Sequence, residues 1–117
     1  MGSTFYGRNG ETFEMNVAAK TDLDKLTFGL WDKLGIPRDI PMNDTNIIAR
    51  MIRNMVRIQK LTHGTPEMES FLKMVGFTQY DTEEIEFFES AATFFEDSGG
   101  LLPEDQWNAM MKIEAPT

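Results

Sequence analysis

The sequence predicts an all-α fold: a compact bundle of about five helices led by an N-terminal β-hairpin or arm. Three observations predict it. Apolar residues recur near a 3.6-residue spacing from Thr21 to the C-terminus. Gly, Pro and Asn interrupt that pattern at intervals that leave helix-length segments between them. The first stretch breaks the pattern, with short aromatic runs on either side of Asn9-Gly10. The expected organisation is therefore residues 1–20 as hairpin or arm and 21–117 as one helical domain.

In "TFYGRNGETFEM", Asn9-Gly10 suits a two-residue type I′ turn, which needs φ > 0 at both central residues. That turn would set Tyr6 opposite Phe13 and Thr4 opposite Met15. Gly7 weakens the first strand. In "TDLDKLTFGLWDKLGIP", Thr21 is a candidate N-cap with Asp24 three residues on. Leu23, Leu26, Leu30 and Leu34 form a stripe beside Trp31. Gly35 suits a left-handed cap, and Pro37 prevents the helix from resuming.

A second helix is expected over about 43–62, capped by Asn43, Asp44 or Thr45. Ile48, Met51, Ile52, Met55 and Val56 form its apolar stripe, widened by Ile47, Ile58 and Leu61, and Gly64 stops it. Thr65-Pro66-Glu67 starts a third helix, whose Met68, Phe71, Leu72 and Val75 share a face and which Gly76 ends. Asp81 and Glu84 pattern as a capping box for a fourth. That helix carries two stripes: Ile85, Phe88, Ala92 and Phe95, and beside it Phe87, Ala91 and Phe94. Either it lies between two layers, or some of its rings form an exposed patch. A last helix is expected from about Pro103 to Ile113, with Trp107, Met110 and Met111 turned inward.

"FFEDSGGLLPEDQWNAMM" tests for calcium. An EF-hand loop needs oxygen ligands at its first, third, fifth, ninth and twelfth positions, Gly at the sixth and Glu at the twelfth. With Gly100 at the sixth, the first is Phe95 and the last Gln106. Starting at Asp97 puts Asn108 last, and starting at Glu96 puts Trp107 last. The residues suit a joint better: Ser98, Gly99 and Gly100 end one helix, Leu101 and Leu102 turn to the core, and Pro103, Glu104 and Asp105 open the next. The order "VGF", "TEEIEFF", "EDSGGLL", "EDQWNAMM", with "EMESFLKMVG" before it, nevertheless resembles the second half of a calmodulin-like or myosin-light-chain lobe, over about residues 55–113. The resemblance implies a degenerate, calcium-free EF-hand-like pair. It departs from the family where "RIQKLTHGTPE" carries no ligand set and where the helix before Asp97 is about a turn too long, so no binding residue carries over.

Composition narrows function. The chain has 117 residues, 41% hydrophobic and 26% charged, ordinary values for a globular domain. Its net charge of −8, from 19 acidic and 11 basic residues, argues against direct binding to nucleic acid or to an anionic membrane. No apolar run reaches the roughly 20 residues of a spanning helix. Without cysteine there are no disulfides, no thiol nucleophile and no Cys-held metal. With no leader either, an intracellular, cytoplasmic setting is the expectation.

Little in the chain suits catalysis. His63 is the only histidine and sits at an expected helix end. Ser3, Ser70, Ser90 and Ser98 lie in no nucleophile-elbow context. "GRNG" lacks the Lys-Ser/Thr ending of a phosphate loop. Glu83/Glu84 and Glu104/Asp105 are ordinary helix-start carboxylates. The expectation is no enzyme, no cofactor and no metal.

Interaction chemistry is better represented. Arg50, Arg53, Arg57 and Lys60 line one face of the second helix; Glu86, Glu89 and Glu96, with Thr93 between, line a face of the fourth. Ion pairing between the two helices accounts for both; the alternative is docking on an acidic partner or, less in keeping with the overall charge, on nucleic acid. Nine methionines, most of them on or near the apolar stripes, suit the filling of an irregular core first and adaptable partner surface second. The sequence therefore points to a non-catalytic protein–protein interaction module, an adaptor or subunit of an assembly. Its expected contact residues are Phe87, Phe94, Trp107, Met110 and Met111, with Arg50, Arg53 and Arg57 as a second face. The partner would be another protein, such as an amphipathic helix, or a second copy. The alternative is a small acidic inhibitor or nucleic-acid mimic that presents Asp81, Glu83, Glu86, Glu89, Glu96, Asp97, Glu104 and Asp105 to a basic groove.

Overall fold

The computed structural model describes residues 2–26, 44–61, 65–76 and 78–114. Most are helical, behind an N-terminal two-stranded antiparallel hairpin. The strands are β1 (Ser3–Tyr6) and β2 (Thr12–Met15). The helices are α1 (Val17–Asp24), α2 (Thr45–Leu61), α3 (Pro66–Val75), α4 (Thr82–Asp97) and α5 (Glu104–Glu114). Trp31, Gly35, Pro37, His63 and Gly64 lie outside the described residues.

The hairpin forms one residue out of the expected register. Phe5 faces Phe13 and Ser3 faces Met15, where the two-residue turn would have paired Tyr6 with Phe13 and Thr4 with Met15. The cause is the turn. Gly7 N–H donates to the Glu11 carbonyl at 2.8 Å, and Gly10 N–H to the Gly7 carbonyl at 3.0 Å. Gly10 is left-handed at φ 88°, while Asn9 is not. This is a three-residue loop with a glycine bulge. A slip of one residue moves every side chain to the other face. Phe5, Phe13 and Met15 therefore point inward together, and Tyr6 points outward.

The first helix starts at Val17, four residues before the expected cap. Asn16 Oδ1 accepts from Ala19 N–H at 2.8 Å and caps it. Thr21 lies inside the helix and donates its hydroxyl to the Val17 carbonyl at 2.8 Å. Leu23 and Leu26 are buried as their spacing requires. The other caps follow the sequence. Asp44 Oδ1 accepts from Asn46 N–H at 2.9 Å ahead of α2. Pro66 opens α3, and Gly76 closes it at φ 84°. Asp81 and Glu84 form the reciprocal capping box of α4.

Helix α4 sits between two layers. On one side Phe88, Ala92 and Phe95 belong to the core formed with Ile48, Ala49, Ile52, Met55 and Val56 of α2. Ala91 and Ala92 are fully buried, small enough to let the backbones approach. On the other side lies the hairpin. Phe13 is 5.3 Å from Phe87 and 5.5 Å from Phe94 between ring centroids, and Phe5 is 5.3 Å from Phe95. Such ring pairs add about 0.5–1.5 kcal/mol each beyond area burial. Leu61, expected to widen the α2 stripe, is 75% exposed.

A polar clasp closes the helical side. Gln59, buried on α2, donates to the Thr78 carbonyl at 2.9 Å and accepts from Tyr80 N–H at 3.0 Å. Tyr80 stacks on Phe88 at 5.2 Å and donates its hydroxyl to Asp22 of α1 at 2.8 Å. Lys25 reaches the Gly76 carbonyl at 3.3 Å.

Candidate partner-binding surface

The joint after α4 is where the hairpin is anchored. Gly99 and Gly100 adopt φ 73° and 122°, open to glycine and strained for other residues. Ser98 is buried; its hydroxyl donates to the Phe95 carbonyl at 2.9 Å and accepts from Gly100 N–H at 3.2 Å. The hairpin turn pairs with this segment. Arg8 N–H donates to the Gly100 carbonyl at 2.9 Å, Asn9 N–H to Ser98 at 3.0 Å, and Leu102 N–H to Tyr6 at 2.8 Å. Gly7 and Leu101 form an antiparallel bridge. "GRNG" and "DSGGLL", far apart in sequence, are one backbone-paired unit.

The chain then enters α5, which meets the outer side of the hairpin. Tyr6 and Trp107 lie 5.4 Å apart. Desolvation first, then the nearby Glu104 carboxylate, raises the Tyr6 phenol above its usual range. Met111 lies against Gly10, its sulfur 3.3 Å from where a Cβ would stand. Trp107, Met110 and Met111 share one face at i, i+3, i+4 spacing, and all three remain partly exposed; Ile113 is 85% exposed. No residue of α5 is fully buried among those described. The Trp107 indole N–H is shut from solvent with no acceptor among the described residues.

The hairpin thus divides the expected contact residues. Phe94 is 5% exposed beneath Phe13 and belongs to the core seam, so it offers no outer surface. Phe87 is half-buried at the edge of that seam. Trp107, Met110 and Met111 lie across the hairpin from both.

On the cationic face, Arg53 Nε donates to Glu96 Oε1 at 2.9 Å and Nη2 bonds Thr93 Oγ1 at 3.0 Å. That hydrogen-bonded pair lowers the Glu96 pKa and raises that of Arg53. Lys60 pairs with Glu89 at 2.7 Å. Arg50 and Arg57 are exposed and make no ion pair among the described residues. Among those residues, no three His, Asp or Glu side chains are grouped to hold a metal ion. None of their helices is long and apolar enough to cross a membrane. Comparison with protein-family models, with curated proteins and with solved structures finds no match.

Sequence reasoning missed the groove beside Phe87. Asn16, Ala18, Ala19, Asp22, Glu83, Glu84, Phe87 and Phe88 surround a depression of about 310 Å³, and Phe87 and Asn16 also border a second one against β1 and β2. Only the hairpin, turning at Asn16 into α1, brings these residues together, and the register that places it is set by the turn.

Proposed function

We propose that this chain is a compact, non-catalytic protein–protein interaction module, an adaptor or assembly subunit. It would take an amphipathic helix or apolar segment of another protein on the face of α5 formed by Trp107, Met110 and Met111. The observation that carries this reading is the poor seating of α5. An isolated helix of its length is marginal in water, where about 12–15 residues are needed even for good helix formers. Its stability must come from packing, yet none of its described residues is fully buried and its one indole donor is unsatisfied. An orphan buried donor costs about 1–3 kcal/mol. A partner helix against α5 would supply the missing burial, with Trp107 as an anchor of the type that dominates interfaces.

The test is affinity capture from native lysate at two salt concentrations, with wild-type and Trp107→Ala baits. The expected result is a partner held about equally at both, and held at least tenfold more weakly by Trp107→Ala, a change of ~1.4 kcal/mol. Loss at the higher salt with no effect of Trp107→Ala would favour the acidic-inhibitor reading. Two of the eight carboxylates that reading uses, Glu89 and Glu96, are already engaged by Lys60 and Arg53. The segment that would serve as the second loop of an EF-hand-like pair is backbone-paired with the hairpin turn, which adds no support to that arrangement.

A further inference from the structure

We propose that the groove between α1, the start of α4 and the hairpin is a second docking site, which takes a lysine- or arginine-bearing segment of a partner protein through an apolar anchor residue. It stands apart from the α5 face and does not depend on it. The two adjoining depressions, of about 310 and 530 Å³, meet at Phe87 and Asn16. The depression between α1 and α4 is mainly apolar, lined by Ala18, Ala19, Phe87 and Phe88, while the one against the hairpin is mainly polar and shares Phe87 with it. Glu14, Asp22, Glu83 and Glu84 also line them, and among the described residues no Lys or Arg does.

The charge is uncompensated where it matters. Asp22 accepts from Tyr80, and one oxygen of Glu84 accepts from Asp81 N–H. Glu14 and Glu83 are exposed and have no ion pair among the described residues. The apolar depression has room for an aliphatic or aromatic side chain beside carboxylates that would meet flanking ammonium or guanidinium groups. The chain's net charge of −8 draws a cationic segment toward the surface from a distance. Charge complementarity thus selects a basic segment, and the apolar depression beside Phe87 selects one that also carries an apolar anchor.

The probe is a fluorescein-labelled peptide of alternating lysine and leucine, titrated by anisotropy into the full chain. Binding should tighten as salt falls. The double substitution Glu14→Lys/Glu83→Lys changes two exposed carboxylates and should weaken it about tenfold, the scale of two lost rim pairs turned repulsive. Circular dichroism checks the fold, and Glu14→Gln/Glu83→Gln carries the same test with a smaller loss should the lysine pair fail to fold. Trp107→Ala should leave this binding unchanged, which separates it from the α5 reading. Equal affinity for the carboxylate variants would overturn the proposal. So would equal binding of an all-lysine peptide of the same length, which needs no apolar depression. Self-association of the free chain abolished by the double substitution would do the same, since the occupant would then be a second copy.

Discussion

At the scale of single residues, Gln59 and Tyr80 hold the most concentrated polar chemistry. Gln59 is 1% exposed and both ends of its amide are used, one on the Thr78 carbonyl and one on Tyr80 N–H. Gln59→Leu keeps the volume and orphans both backbone groups, so urea unfolding should show a loss of about 2–3 kcal/mol. Tyr80 is buried, and burial first, then the hydrogen bond to Asp22, pushes its phenol well above the usual range. A raised pKa in the folded state means the neutral form is the one that stabilises. That stability is complete below the unfolded value of about 10 and drains away as pH rises above it. Midpoints measured from neutral to alkaline pH should fall beyond that value, and Tyr80→Phe should flatten the fall at a cost of about 1 kcal/mol at neutral pH. Gln59 was legible in part: it continues the Ile52, Met55, Val56 spacing of α2, so its burial follows from periodicity. Its partners did not, because nothing in the sequence ties residue 59 to the 78–80 connector.

At the scale of elements, the controlling contact is the hairpin turn against the joint after α4. A Cβ at Gly100 would stand 3.0 Å from Arg8 Nε and 3.1 Å from Arg8 Cδ, at a φ of 122°. Gly100→Ala should therefore cost about 1–3 kcal/mol. Amide exchange should speed first at Arg8, Asn9 and Leu102, which bond across this contact. Helix boundaries were readable wherever a side chain or glycine performs a local job, as at Asp44, Pro66, Gly76 and the Asp81/Glu84 box. The start of α1 was not, because Asn16 and Thr21 are both competent caps and Met15, drawn into the core by the hairpin, decides between them. The strand register was not either. Asn9-Gly10 fits a two-residue and a three-residue loop equally well, and the pairing of Arg8 and Asn9 with Ser98–Gly100 is long-range. The ion pairs Arg53–Glu96 and Lys60–Glu89 did follow from matching charge stripes on α2 and α4.

At the scale of the whole molecule, α4 is the central rod, covered by α2 on one side and by the hairpin on the other. The double stripe in the sequence required a second covering layer or an exposed patch; Phe13 covers Phe87 and Phe94 of the second stripe, and Phe5 packs beside it on Phe95 of the first. The hairpin is therefore structural, while α5 beyond it is the weakly seated element. Phe13→Ala should cost about 2–3 kcal/mol, and Trp107→Ala under 1 kcal/mol, since Trp107 is only partly covered. Denaturant unfolding of the two variants side by side checks that split. The central claim is that the hairpin seals the second stripe of α4, and aromatic NOE spectroscopy of the full chain tests it most directly. Cross-peaks from the Phe13 ring to both Phe87 and Phe94, and from Phe5 to Phe95, are predicted. Random-coil shifts through residues 3–15, with none of those cross-peaks, would contradict it.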